Sequence, residues 1–294
     1  MKNIFIGLWI SIVIIWLMMA LNIYPQSNLS LQVFGNYHSG EKNNSFQFTR
    51  INTTYDYTAD DVTYKFGVEN DQTTKNQMYI KDANIGYNIY IANFIFGLQK
   101  NELFTPVEKV YDHRFVDKTI MDYRNIQQQR DLGLSIAGSI DILQYWVMYG
   151  NNYNGFTDNN NTKRFCFQFK LPMNNFIVSL FADKRYEMSP VVTYETFIGY
   201  TDKLVSAGME GFQYSYSDIN TYGVMAFMNC KFPYGFTVTG RVDFNKTINY
   251  GTMLYLFGID YQLTKSLRIE PNIICDANRY TGRVSLEYYI NIGN

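Results

Sequence analysis

From residue 29 to its end the chain alternates apolar and polar side chains, one strand-length run after another. Successive side chains of a β-strand point to opposite sides of the pleat, so a period of two marks a strand with two unlike faces. In FTVTGRVDF, Phe236, Val238, Gly240, Val242 and Phe244 share one face, and Thr237, Thr239, Arg241 and Asp243 the other. TMLYLFGIDYQL groups Met253, Tyr255, Phe257, Ile259 and Tyr261. RVSLEYYINI sets Val284, Leu286, Tyr288, Ile290 and Ile292 against Ser285, Glu287, Tyr289 and Asn291. In LRIEPNI, Arg268, Glu270 and Asn272 oppose Leu267, Ile269, Pro271 and Ile273. Pro271 cannot donate to a ladder, which places it at a bulge or a strand end.

A soluble sandwich alternates too, so the decision rests on what each face carries. Charged residues are held to 17%, against about 25% in an average soluble domain, while aromatic residues reach 17%. Aromatic side chains recur near strand ends, at Tyr55, Tyr57, Tyr87, Tyr200, Tyr214, Tyr216, Tyr250 and Tyr261. That is where the interfacial girdles of an outer-membrane barrel lie. Mean hydropathy is only -0.21, and no apolar run after residue 21 could cross a bilayer as a helix. Strands with one lipid face and one lumen face average to such values. The fold expected is therefore all-β, a transmembrane antiparallel β-barrel.

Runs of about 9–11 residues, the length a tilted membrane strand needs, number about 16, with 14 to 18 compatible. They begin near Leu29, Ser45, Val62, Met78, Tyr90, Arg130, Leu143, Lys163, Phe176, Pro190, Val205, Tyr222, Gly235, Met253, Leu267 and Gly282. Short turn signals such as DD (60–61), PMNN (172–175) and PYG (233–235) separate them. A barrel of this size encloses an aqueous channel.

Residues 1–27 have the layout of an export signal: Lys2, the apolar run IFIGLWISIVIIWLMMAL, then the polar NIYPQS. The run is longer than usual and lacks an A-x-A site, so an uncleaved anchor competes with the signal. The amphipathic strands that follow decide for export. Residues 28–294 then form one barrel domain with 24 basic and 26 acidic side chains, the 25 and 26 of the whole chain less Lys2. That balance argues against a nucleic-acid partner. Three cysteines, Cys166, Cys230 and Cys275, are too few and too widely spaced for a disulfide framework or a zinc site.

One stretch breaks the rhythm. Between IANFIFGLQK and RDLGLSIAGSID lies the polar and charged insert NELFTPVEKVYDHRFVDKTIMDYRNIQQQ, residues 101–129. Here the chain resembles the phosphate-selective porin O/P family of outer-membrane channels. The residues that carry the resemblance are KDANIGY (81–87), FGLQKNELF (96–104), RDLGLSIAGS (130–139) and YWVMYGNNYNG (145–155). The resemblance implies a 16-stranded barrel, a homotrimer, and an insert folded inward as a constriction. Phosphate selectivity does not carry over. The insert holds five acids (Glu102, Glu108, Asp112, Asp117, Asp122) and four bases (Lys109, Arg114, Lys118, Arg124), so it offers no field of one sign.

The residues expected at the constriction or on the lumen wall are Glu108, Lys109, Asp112, His113 and Arg114 of the insert, Arg130 and Asp131 just after it, and Lys65, Arg241 and Arg268 on strands. Charged side chains inside a membrane barrel must face water, because lipid penalises them by about 2–4 kcal/mol at mid-depth. Asp112-His113-Arg114 is either a solute or metal contact or a solvated salt-bridge cluster. Arg130 and Asp131 are either a rim charge pair or a local pair anchoring the insert. Only two histidines occur, His38 and His113, and neither has a serine at hydrolase-like spacing. No enzyme activity, cofactor or metal is expected. The expected function is a bacterial outer-membrane porin passing small hydrophilic solutes or ions, with outer-membrane lipid around it. The alternative is a plugged structural or surface-binding barrel, adhesin-like in role.

Overall fold

Among the described residues every strand finds two antiparallel partners in a single sheet that closes on itself. The computed structural model describes residues 27–39, 44–71, 77–152, 162–186, 189–248, 250–277 and 279–293. Its sixteen strands are β1 (Ser27–Ser39), β2 (Asn44–Ala59), β3 (Val62–Asp71), β4 (Gln77–Ile89), β5 (Ala92–Lys100), β6 (Arg130–Ile140), β7 (Leu143–Gly150) and β8 (Lys163–Met173), followed by β9 (Phe176–Tyr186), β10 (Val191–Thr201), β11 (Val205–Tyr216), β12 (Ile219–Phe232), β13 (Phe236–Thr247), β14 (Tyr250–Thr264), β15 (Leu267–Asp276) and β16 (Arg279–Gly293). Neighbours follow chain order around the ring, and β16 pairs with β1 from Asn28–Gly293 to Ser39–Gly282. Closure leaves no strand edge with unpaired backbone groups. Residues 1–26, which hold the apolar leader, lie outside the described residues, and Ser27 already belongs to β1.

The two faces follow the alternation. Met253, Tyr255, Phe257 and Ile259 are exposed on the outer side of β14, while Leu254, Leu256 and Asp260 are buried on its inner side. On β13, Thr239, Arg241 and Asp243 are buried and inward.

Two expectations fail here for physical reasons. Pro271 sits neither at a bulge nor at a strand end but inside β15, paired with Val284 of β16. Its missing N–H is accommodated on the other side, where the β14–β15 ladder runs to Gly258–Asn272 and resumes at Tyr261–Ile269. Tyr214 is not an outer girdle residue. Its ring packs against the inner core and lies 5.4 Å below the Arg185 guanidinium.

The inner wall is also not uniformly polar. From β7 to β12 it carries Trp146, Met148, Cys166, Phe181, Phe197, Phe212, Met225 and Phe227, all buried. What covers them is the insert. It forms α1 (Phe104–Tyr111) and a single turn, α2 (Ile120–Tyr123). Leu103, Phe104, Val107, Val110, Tyr111, Ile120 and Met121 join the same cluster, and α1 packs on β10, β11 and β12. Phe104, Val107 and Val110/Tyr111 recur at helical spacing, so one stripe of α1 is apolar. Pro106 falls in the first turn, where its missing N–H breaks no helix bond.

Glycines give the helix its seat. A Cβ at Gly199 would come within 2.9 Å of Val110 Cγ2, and one at Gly208 within 2.7 Å of the Phe197 ring. A second, smaller cluster joins Phe115 and Val116 of the insert to Phe34, Leu254, Leu256 and Ile274.

Truncating Phe104 to Ala should cost the docked insert about 3–5 kcal/mol, the usual loss for a buried phenylalanine. The expected readout is faster trypsin cleavage within residues 101–129, with the heat-modifiable gel mobility of the barrel retained. Cleavage no faster than in the unaltered chain would count against the docking.

Candidate functional site

The insert leaves β5 at Lys100 and returns at β6 beside it, since Lys100 pairs with Arg130. The Asn101 side chain accepts from the Leu103 backbone N–H at 3.1 Å, setting the direction in which α1 starts. Asp112 ends α1 in the left-handed region, φ 55°, and turns the chain toward β14 and β15.

Polar bonds then tie the insert to inner side chains well around the ring. Lys170 of β8 reaches Glu102 at 3.1 Å. Gln127 donates to Asp183 of β9 and Thr193 of β10, both at 2.8 Å, and Arg164 donates to Asp183 and to the Gln127 side-chain Oε1. Asn229 of β12 donates to the Tyr111 carbonyl at 2.8 Å. Arg241 of β13 chelates Asp243 and donates to the Lys118 carbonyl. Tyr123 and Arg124 both hold Asp276 of β15, at 2.8 and 3.2 Å.

What the insert leaves open lies on the other side of the ring. Three cavities of about 810, 280 and 350 Å³ share lining residues along β16 and β1–β6, the largest also reaching Trp146 of β7 and Lys170 of β8. The smallest is in the middle, where Arg50, Lys81, Lys100, Arg114 and Arg130 meet Glu108. Five carboxylates answer these five cations. Arg50 reaches Glu69 and Asp71, at 3.4 and 3.6 Å, Lys81 reaches Glu69 at 2.7 Å, and Arg130 reaches Asp82 at 2.7 Å. Lys100 holds Glu108 at 2.7 Å, and Arg114 bridges Glu108 and Asp122.

Of the residues expected from sequence, Glu108, Arg114 and Arg130 meet in this cluster. Asp112 and His113 lie at its far edge, toward β15, where Arg268 bonds the Asp112 carbonyl at 3.1 Å. Lys109 is exposed on the last turn of α1. Asp131 is buried and accepts the Asn152 backbone N–H. Lys65 pairs with Asp56 at 3.2 Å and lines the largest cavity. Arg241 lies under the insert, its guanidinium 5.3 Å from the Tyr111 ring centroid.

Sequence reading missed Arg50 and Lys81, and the cause is specific. Counting by twos from the exposed Phe46 and Phe48 puts Arg50 on the outer face. Counting back from Tyr87 and Ile85 does the same to Lys81. In each case the register slips by one residue, because Phe34 pairs with Arg50 but Gly35 with Phe48, and Gly67 with Asp82 but Val68 with Ile80. Each slip is a bulge, which re-aims the side chains beside it. A cation on the outer parity of a membrane strand is itself the signal that a bulge must intervene.

Burial pushes the Glu108 carboxyl up, but Arg114 and Lys100 outweigh it and hold it down to about 2. Asp117 goes the other way: burial raises it, and Arg241 recovers only part. Among the described residues no group of His, Cys, Asp and Glu is arranged to hold a metal ion.

No family model and no curated protein matches this sequence. Solved structures do. A loop-deletion variant of OmpT, an outer membrane protein of Vibrio cholerae, is 13% identical over 90% of this chain and 98% of that one, with a TM-score of 0.69. An anion-selective porin from Comamonas acidovorans is 10% identical over 90% and 98%, TM-score 0.69. Salmonella typhi OmpF, solved with daunomycin, is 11% identical over 91% and 99%, TM-score 0.68. At such identities the likeness is one of fold. The chain has the general porin fold, a closed 16-stranded antiparallel barrel of the outer-membrane type.

Because Glu108 is held below its ordinary value, its ion pairs stabilise the insert above about pH 4.5 and are lost as pH falls through about 2. Thermal midpoints followed by gel heat-modifiability should therefore fall across that window. Glu108→Gln should start lower and respond less. Equal slopes for both chains would contradict the pairing.

Proposed function

We propose that the chain is a bacterial outer-membrane porin through which small hydrophilic solutes or ions diffuse passively. The observation that carries this reading is the row of cavities with shared lining residues between the insert and the wall from β16 through β1–β6, smallest at the Arg50–Glu108 cluster. Residues 101–129 act as the constriction, held against one side of the lumen so that solutes pass along the other. The leader expected over residues 1–27 serves as the export signal, ending ahead of Ser27, which β1 takes up. The exposed apolar side chains of the outer face meet outer-membrane lipid, where strands of alternating character are stable.

Selection is steric, with a weak mixed-charge field. The smallest cavity is lined by five cations and by Glu108, Asp112 and Glu287. Each of the five cations is already paired with a carboxylate of the wall or the insert, so the passage has no unpaired field of one sign, which selectivity needs. The mechanism calls for no covalent step and no cofactor. The motifs at 81–155 support a relationship to the phosphate-selective porin O/P family without its anion preference. A homotrimer is the assembly proposed; OmpT of Vibrio cholerae, 12% identical, has been solved in a trimer form.

Planar-bilayer recording of the purified protein across a KCl gradient tests the reading. Stepwise conductance in threes with a reversal potential near zero is the expected result. A folded, heat-modifiable barrel that never conducts would make the insert a plug, and a surface-binding role would take the porin's place. A large reversal potential would overturn the mixed-charge account.

A further inference from the structure

Beyond the passage, the insert touches β14 and β15 through a contact that lacks a proton. His113, only 2% exposed, points its Nδ1 at the Tyr111 carbonyl, 2.8 Å away. A carbonyl only accepts, so Nδ1 carries the ring hydrogen and Nε2 of the neutral ring holds a lone pair. That lone pair faces Glu270 Oε2 at 3.6 Å and Asp260 Oδ2 at 3.9 Å. Glu270 is fully buried, and neither of its carboxylate oxygens has a hydrogen-bond partner, nor has His113 Nε2. Gly258 makes the room, since a Cβ there would sit 1.9 Å from Glu270 Oε1.

The surrounding charges do not supply what is missing. Arg268 on β15 is committed to Asp260, to Asp112 of the insert and to Glu287 of β16. Lys231 of β12 acts on the imidazole and on Asp112 by charge alone, and neither oxygen of Glu270 has a hydrogen-bond partner. The Tyr111 hydroxyl accepts from Arg241 at 3.4 Å and makes no hydrogen bond to Glu270. Four carboxylates, Asp112, Asp260, Glu270 and Glu287, thus share one guanidinium. An uncompensated buried carboxylate is far more costly than a neutral one.

We propose that one proton shared between Glu270 and His113 fastens the insert to β14 and β15, and that this contact is a pH-sensitive clamp released as pH rises. With the proton present, a neutral carboxyl meets a neutral imidazole. Its loss to solvent leaves an anion facing a lone pair beside a second carboxylate, and the three repel. Burial, then Arg268, push the imidazole itself down to about 3, so it is an acceptor at neutral pH and not an imidazolium. The clamp stands whether or not the barrel conducts.

Histidine-selective ¹⁵N NMR of the full chain in detergent reads the proton directly. The chain has two histidines, so His38→Gln leaves a single ring to follow. The expected result is one titration step of His113 Nε2 above neutral pH, absent in Glu270→Gln, whose amide donates at every pH. Trypsin cleavage at Arg114 and Lys118, taken relative to Glu270→Gln, should rise by up to about tenfold per pH unit from about pH 4.3, where a released glutamate titrates, up to the midpoint of that step, and level off above it. A midpoint near about 6.5, that of an open histidine, would overturn the proposal. So would the same step persisting in Glu270→Gln. Should that variant fail to fold, the absence of any step between neutral pH and pH 10 in the His38→Gln chain alone would overturn it.

Discussion

Apolar packing between α1 and the inner wall of β7–β12 is the interaction on which the rest depends. Phe104, Val107 and Val110 fill the space over Phe197, Phe212, Met225 and Phe227, and the glycines at 199 and 208 let them approach. Each such side chain taken out of water contributes about 1.5–3 kcal/mol. Together they fix one long surface segment to one side of the ring. The polar bonds from Lys170, Asn229, Arg241 and Asp276 then determine its register. With the insert held there, most of the open space falls on the β1–β6 side, and the charged cluster around its smallest cavity follows from that placement.

The cluster depends on two defects in an otherwise regular sheet. Without the slip beside Arg50 and the one beside Lys81, both cations would point outward, and Glu69 would lose partners on two sides. The bulges turn them inward, where five carboxylates meet five cations. The insert contributes Glu108, Arg114 and Asp122 to that network, so wall and insert complete one another electrostatically as well as by packing.

Much of this architecture was legible in the sequence. Each strand begins within three residues of its expected start, the largest offsets being at Ile219, Tyr250 and Arg279. Outer-face side chains such as Tyr255 and Phe257 were placed correctly, because period-two counting needs only local geometry. The inner apolar patch was not read, since Phe197 and Phe212 occupy the parity assigned to water. A signal was present: large apolar residues alternating with Gly199, Gly208 and Gly223 on the inner parity require a cover, and only residues 101–129 are long enough to give one. The helical spacing of Phe104, Val107 and Val110 was the matching half of that signal. Arg50 and Lys81 escaped because a bulge reverses every count made across it. The contact of His113 with Glu270 could not be read at all, as it joins residues 157 positions apart (270 less 113) through tertiary geometry alone.

Trp146 offers the most direct test of the central claim. It is the only tryptophan beyond residue 16, and although it borders the largest cavity it is only 2% exposed, in the cluster that the insert covers. Its fluorescence in the folded protein without the leader should be blue-shifted and resist quenching by aqueous iodide, because α1 and its neighbours exclude water from that side of the lumen. Emission at long wavelength, quenched as readily as free tryptophan, would mean that the inner wall of β7–β12 is open to water and the insert lies elsewhere.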